Sequence, residues 1–260
     1  DDFEEEISRD EVATSPGEAA DPQWLVEAKM PPDLRAKYEI YSYRSAATIL
    51  AESHPVEFQE LCDALREFTI TETIIRTAGG NESDVPKLIS ASLRPKDWRE
   101  TIIRGDLLVE LISKEQGGVT KAGKAKFRKH TRTIKREKYL DGHKVDYVKG
   151  KVAFDLEWNS KDQTFDRDLY AFSAFAQTGV VDVGVLVTRG TAMTEFIKGL
   201  GPALKKNGEV EMKDGKPRRT SDKYGASTTW MGKLLYRLNA GRNGACPVLV
   251  FGITPACVSD

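Results

Sequence analysis

Asp146, Asp155 and Glu157 stand close enough along the chain to share one metal ion, provided the backbone between them folds back on itself. The intervening residues predict that fold. From Lys151 to Asn159 the chain alternates, with Val152, Phe154, Leu156 and Trp158 on one face of a strand and Lys151, Ala153, Asp155, Glu157 and Asn159 on the other. With Gly150-Lys151 as a two-residue loop, glycine first as a type II′ turn prefers, Asp146 lies opposite Asp155 and diagonal to Glu157. Acidic residues are common on the wet face of a half-buried strand, so the spacing alone also fits an ordinary solvated surface. Strands disfavour Asp, however, and like charges facing each other across a ladder are destabilising. A bound cation removes that cost. The oxygen-only donor set suits a hard divalent ion such as Mg²⁺, which keeps several waters and serves phosphate chemistry.

The charge distribution says what kind of phosphate is expected. The formal net charge is −1, but residues 1–21 hold nine acids against one base, Arg9, and the remainder carries 38 Lys and Arg against 31 Asp and Glu, a net +7. A folded part with that excess favours polyanions. Nine bases lie between Lys121 and Lys138, among them Lys126, Arg128, Lys129 and Arg132, with His130 and a single acid, Glu137. Such a run suits contacts to a phosphate backbone, whose affinity comes mainly from counterion release, although a solvated face has the same look. A small-molecule phosphatase fits least well, because nothing in it would explain so large a basic surface.

The elements that must position these residues read as an α/β protein. Pro55 to Phe68 predicts an amphipathic helix with Pro55 in its first turn and Val56, Phe58, Leu61, Leu65 and Phe68 inward. Leu107, Leu108 and Leu111 predict another from Asp106 to about Glu115. After the hairpin, Asp166 is placed to cap a helix through Leu169, Phe172, Phe175 and Ala176 that ends near Gly179. The apolar run from Val180 to Thr188 is a mostly buried strand, followed by a helix from about Ala192 to Lys205, a late helix near Thr229 to Leu238, and a strand from Val248 to Ile253. Strand, helix, strand implies a parallel crossover, and the whole a mixed sheet with helices on its faces. The 260 residues with 40% hydrophobic content fit one large domain, expected over 24–260, behind an acidic, flexible tail of residues 1–23 that could compete with DNA for the basic surface.

The segment from Lys144 to Arg189, containing Val-Asp-Tyr-Val-Lys-Gly-Lys-Val-Ala-Phe-Asp-Leu-Glu-Trp-Asn-Ser-Lys-Asp, Phe-Asp-Arg-Asp-Leu and Val-Asp-Val-Gly-Val-Leu-Val-Thr-Arg, resembles the BglII/BstYI-type restriction endonucleases. A weaker likeness runs through Cys246 to Ile253. That family belongs to the PD-(D/E)XK nuclease superfamily, so the resemblance implies a restriction-endonuclease-like mixed central β-sheet flanked by α-helices. It also implies a metal site of an Asp, eight residues, an acid, one spacer and a polar residue, which Asp146, Asp155, Leu156 and Glu157 fill. Two positions depart from the pattern. Asp155 stands where Glu is commoner, and Glu157 where these enzymes have Gln and most of the superfamily has Lys; Glu at that place resembles the BamHI variant. An alternative alignment makes Glu157 the middle acid, Asn159 the last polar group and Asp155 a bystander; the hairpin register and the eight-residue gap favour the first, with Asn159 and Lys161 as candidate further participants.

The resemblance implies a type II enzyme that cuts double-stranded DNA as a homodimer at a palindrome containing GATC and leaves 5′-phosphates. One or two Mg²⁺ on Asp146 and Asp155 would acidify a water, and Glu157 would position it or take its proton. His130 and His143 flank the site in sequence as candidate proton carriers, though a lone His is more often a surface residue. Specificity is expected toward the C-terminus. Ser227, Thr228 and Thr229 sit among small residues, and Arg242 and Asn243 offer the side chains suited to guanine and adenine, although a glycine-rich turn has the same composition. Three unpaired cysteines and no apolar run of eighteen residues or secretory pattern suggest a reduced, cytoplasmic setting without membrane insertion. Two other classes fit the same residues: an inactive DNA-binding module that keeps a nuclease fold, and a repair nuclease that reads structure rather than sequence.

Overall fold

The computed structural model describes residues 11–77 and 84–259, in two compact units. One comprises residues 1–101 and 145–260, the other Ile102–Lys144. In chain order the elements are α1 (Gln23–Lys29), α2 (Pro32–Lys37), β1 (Tyr38–Tyr43), α3 (Ala46–Ser53), α4 (Pro55–Glu67), β2 (Ile70–Thr71), α5 (Glu72–Thr77) and α6 (Asp84–Leu93). There follow β3 (Arg99–Val119), β4 (Ala125–Lys149), β5 (Val152–Glu157), α7 (Thr164–Gln177), β6 (Val183–Arg189) and α8 (Ala192–Gly199). The short strands β7 (Met212–Lys213) and β8 (Lys216–Pro217) precede α9 (Met231–Asn239), β9 (Val248–Ile253) and β10 (Val258–Ser259).

The sheet has the order β1-β9-β6-β5-β4-β3 and mixes both pairing senses. β5, β6 and β9 run parallel, each joined to the next through helices, while β1 pairs antiparallel with β9 and β4 with β5. The parallel trio is the part that needs cover on both faces. All three strands are buried at every residue, and α7 lies so close to β6 that a Cβ at Gly184 would come within 2.4 Å of the Phe172 ring. The fold is therefore α/β, with a mixed central sheet flanked by helices, as expected from the sequence.

Several local expectations need correction. The segment from Asp106 to Glu115 is not a helix but part of β3. Its leucines fit a helical stripe, but Leu107, Val109 and Leu111 also alternate, and pairing with the distant β4 overrides local propensity. Val56 is 58% exposed on α4 rather than inward. Asp166 lies in the first turn of α7 without capping it; its carboxylate goes instead to Arg237 and Arg242. The strand expected from Val180 begins at Val183, and α8 stops at Gly199, short of Lys205.

The unit Ile102–Lys144 is the outer length of the β3–β4 ribbon and holds the basic run. It carries twelve Lys and Arg against five Asp and Glu, a net +7. Residues 22–101 and 145–260 hold 26 of each sign, so the excess of the chain beyond its acidic start sits on this ribbon. Residues 1–10 of the expected tail lie outside the described residues, whereas Ala13 donates to Gly232 O at 2.9 Å, Gly17 N to Asn239 Oδ1 at 2.7 Å, and Ser42 Oγ to Asp21 Oδ2 at 2.5 Å. Cys62, Cys246 and Cys257 are buried free thiols. Among the described residues no helix is long and apolar enough to cross a membrane.

Candidate active site

The hairpin forms in the expected register. Lys149 pairs with Val152, Val148 with Ala153 and Tyr147 with Phe154, leaving Gly150-Lys151 as the loop with Gly150 at φ +54°. Continued by one step, this register sets Asp146 against Asp155. The ladder is replaced there by a side-chain bond, the Asp146 N–H donating to Asp155 Oδ1 at 2.7 Å. Because β5 is flanked by β4 and β6 and covered by α7, the acidic face is not wet. Asp155 is 5% and Glu157 8% exposed, which removes the solvated-surface reading for this strand.

A fourth carboxylate comes from α7. Asp168 is 2% exposed, and its Oδ1 accepts from Arg167 Nε and Nη2 at 3.2 Å each, while Oδ2 is buried with no hydrogen-bond partner. Arg167 Nη2 also lies 4.0 Å from Glu157 Oε1. Sequence reasoning missed Asp168, though a signal was present. Phe165, Asp168, Leu169, Phe172 and Phe175 form the inward stripe of α7, and a carboxylate on such a stripe breaks its pattern.

Burial sets the electrostatics. It pushes the Asp155 carboxyl well above the usual carboxylate range, reinforced by the neighbouring Asp168 charge and opposed by the Asp146 N–H. Burial raises Glu157 as well, against Ser160 and Arg167. Asp168 is pushed up to about 7 by burial and then by the Glu157 charge, with Arg167 opposing. These are carboxylates whose ionised forms lack solvation and have too few cations nearby.

Among the described residues no three His, Cys, Asp or Glu side chains are already set to hold a metal ion. The donors nonetheless fit a hard divalent cation. They are all carboxylate oxygens, they repel one another when ionised, and one of them, Asp168 Oδ2, is buried without a partner.

The end of β5 is tied to the segment expected to read DNA. Thr188 Oγ1 donates to Glu157 O at 2.7 Å, the Asp162 N–H to Ser227 O at 2.9 Å, and the Thr229 N–H to Ser160 O at 2.9 Å. Arg189, also missed from sequence, locks this junction. Its Nε donates to Trp158 O at 2.9 Å, and its Nη2 to Thr228 Oγ1 at 2.6 Å and Thr229 O at 2.8 Å. Lys161 forms an isolated bridge with Thr228, and Asn159 Nδ2 donates to Lys223 O at 3.1 Å. The structure thus brings Asp146, Asp155, Glu157, Asn159, Lys161 and residues 227–229 into one connected body.

Other candidates fall elsewhere. Lys126, Arg128, Lys129 and Arg132 are exposed on the ribbon, where His130 is exposed beside Glu115. Thr229 and Asn243 are buried, and Asn243 Nδ2 is engaged with Cys246 O at 2.8 Å, so both side chains hold the fold together. Arg242 is bound to Asp166 and lies over the Tyr236 ring.

A model of the family described as restriction endonuclease BglII/BglIII matches residues 38–253. No curated protein matches the chain.

Proposed function

The chain belongs to the BglII-type restriction endonuclease family, hence to the type II site-specific deoxyribonucleases, and from that premise we propose that the β4–β5 hairpin is its metal-dependent cleavage centre. Restriction endonucleases generally use divalent metal ions, and Mg²⁺ is the ion proposed here, one or two per site. The observation that carries the reading is the pair of buried carboxylates at Asp155 and Glu157, too poorly neutralised by their own neighbours to be explained as structure, with the half-buried Asp146 set against Asp155.

Asp146 and Asp155 would hold the cation. When bound, it supplies the charge that offsets these carboxylates and the developing charge on phosphorus, and it acidifies the attacking water. The hairpin register carries both acids to facing positions just beyond the last ladder pair, where the Asp146 N–H steers Asp155 Oδ1. Glu157, two residues further along β5 on the same face and raised by burial, positions the water or takes its proton. Attack in line with the 3′-oxygen leaves a 3′-hydroxyl and a 5′-phosphate.

DNA contacts divide in two under this proposal. Lys126, Arg128, Lys129 and Arg132 grip phosphates and carry no sequence information. Ser227 and Thr228, joined to the end of β5, contact the duplex near the cleavage centre with Arg242, while Thr229 and Asn243 shape the backbone behind them. The proposed target is a short palindrome containing GATC, cut by a symmetric homodimer in the cytoplasm.

Digestion of a defined plasmid with Mg²⁺ and with EDTA, followed by sequencing of the ends, tests the reading. Discrete Mg²⁺-dependent fragments sharing one palindrome and bearing 5′-phosphates are expected. Nicking confined to junctions or ends would instead favour a structure-specific nuclease.

A further inference from the structure

An aspartate on the inward stripe of a helix requires a reason. Asp168 projects from α7 between Phe165 and Phe172 on the face that covers the sheet, with 2% of its surface exposed. An apolar residue there would cost nothing in desolvation, whereas a buried carboxylate with an unmet oxygen carries an uncompensated desolvation cost. Its two oxygens are treated unequally. Oδ1 accepts both Arg167 bonds, and Oδ2 accepts none. Arg167 is itself 55% exposed and stands between Asp168, at 3.2 Å, and Glu157, at 4.0 Å. One guanidinium therefore spans both carboxylates, and the oxygen it leaves open belongs to the buried one.

We propose that Asp168 is a fourth carboxylate of the metal-holding site, with Oδ2 kept open as a ligand for the divalent cation and Arg167 fixing the carboxylate through Oδ1. The inference rests on the reading that Asp146 and Asp155 hold that cation. Three facts support it independently of the hairpin: the burial of Asp168, the missing partner of Oδ2, and the shared arginine. The raised pKa of the group agrees with them, since burial and the Glu157 charge disfavour the ionised form until a cation arrives. The position is one turn into α7, reached from β5 through the segment clamped to residues 227–229, so a helix and a hairpin of the same compact unit both feed one site.

Mn²⁺ alone, titrated into the full chain and followed by the electron paramagnetic resonance of the free ion, tests this without any turnover. Wild type, Asp155→Asn, Asp168→Asn and Arg167→Ala are compared, with thermal unfolding in EDTA as the check of folding. The expected result is an Asp168→Asn protein that folds in EDTA and binds Mn²⁺ about 10–100-fold more weakly than wild type, the range typical for losing a group that supports a metal site. Arg167→Ala, at an exposed position, is expected to fold and to weaken Mn²⁺ several-fold, which supplies the answer if Asp168→Asn does not fold. Wild-type affinity in Asp168→Asn, or in Arg167→Ala should the former be unfolded, alongside lost affinity in Asp155→Asn, would overturn the role of Asp168 and leave the hairpin reading standing. Unchanged affinity in Asp155→Asn, or no binding by wild type, would overturn the hairpin reading and this inference with it.

Discussion

β4 passes through two environments along its own length. In its last residues, Val145 and Tyr147 are buried at 1% and 2% exposure, and the neighbouring β5 is buried on both faces. In its earlier length, from Ala125 onward, nearly every residue is exposed, Phe127 and Tyr139 included. The sign of the charge differs as well: the inner end carries Asp146 beside Asp155 and Glu157 of β5, and the exposed length carries seven bases from Lys126 to Lys138. Under the proposed function, one strand would serve two purposes that require opposite surroundings. Burial strengthens the interaction of a carboxylate with a cation, whereas lysines and arginines that contact phosphates must stay solvated and reachable.

The largest effect is expected at the buried end. Asp155→Asn is expected to lower the single-turnover cleavage rate by about 10³-fold or more, because it disables a unit rather than one interaction. Its DNA affinity should stay within a few-fold of wild type, as measured by anisotropy in Ca²⁺. A loss confined to binding would place Asp155 outside the chemistry.

Stability separates the two regions next. Phe172→Ala, beneath the sheet, is expected to cost about 3–5 kcal/mol in urea unfolding. Phe127→Ala, 60% exposed on the ribbon, should remain within about 0.5 kcal/mol of wild type. Equal costs would mean that the ribbon is buried against something in solution.

The ribbon has its own signature in salt. Replacing Lys126, Arg128, Lys129 and Arg132 together by Ala should reduce the slope of log affinity against log salt by about 3–4, since each phosphate left without its cation takes away about 0.9. An unchanged slope would remove these residues from the interface.

A further effect concerns pH. Asp168 titrates near 7 in the folded chain against an ordinary 3.8, so between those values the folded state holds a proton that the unfolded state has lost. Its contribution to stability therefore falls as pH rises from about 4 to about 7 and then levels off. Metal-free Asp168→Asn should gain stability relative to wild type across that window. A difference independent of pH would show that Asp168 is not so perturbed.

How much of this was legible in the sequence follows the same division. The hairpin could be read to the residue, because a two-residue loop and strict alternation leave a single register, and β9 was read from Val248 to Ile253 because an apolar strand bounded by turns leaves little choice. The ribbon was misread at Asp106 to Glu115, since its pairing partner lies beyond the reach of any local pattern. At the site, Asp146, Asp155 and Glu157 were visible as neighbours in one hairpin. Asp168 and Arg189 were not, because each acts across elements, although the carboxylate on the inward stripe of α7 was there to be noticed. Thr229 and Asn243 offered the right chemistry for bases, but composition carries no information on burial.

The most direct test of the account is the single-turnover cleavage of one cognate duplex at saturating enzyme, for Asp155→Asn and for the four-residue ribbon variant side by side. Saturation is expected to restore cleavage in the ribbon variant to near the wild-type rate, while Asp155→Asn stays inactive at any concentration. Recovery of Asp155→Asn at high protein, or a ribbon variant that binds fully and still fails to cut, would contradict it.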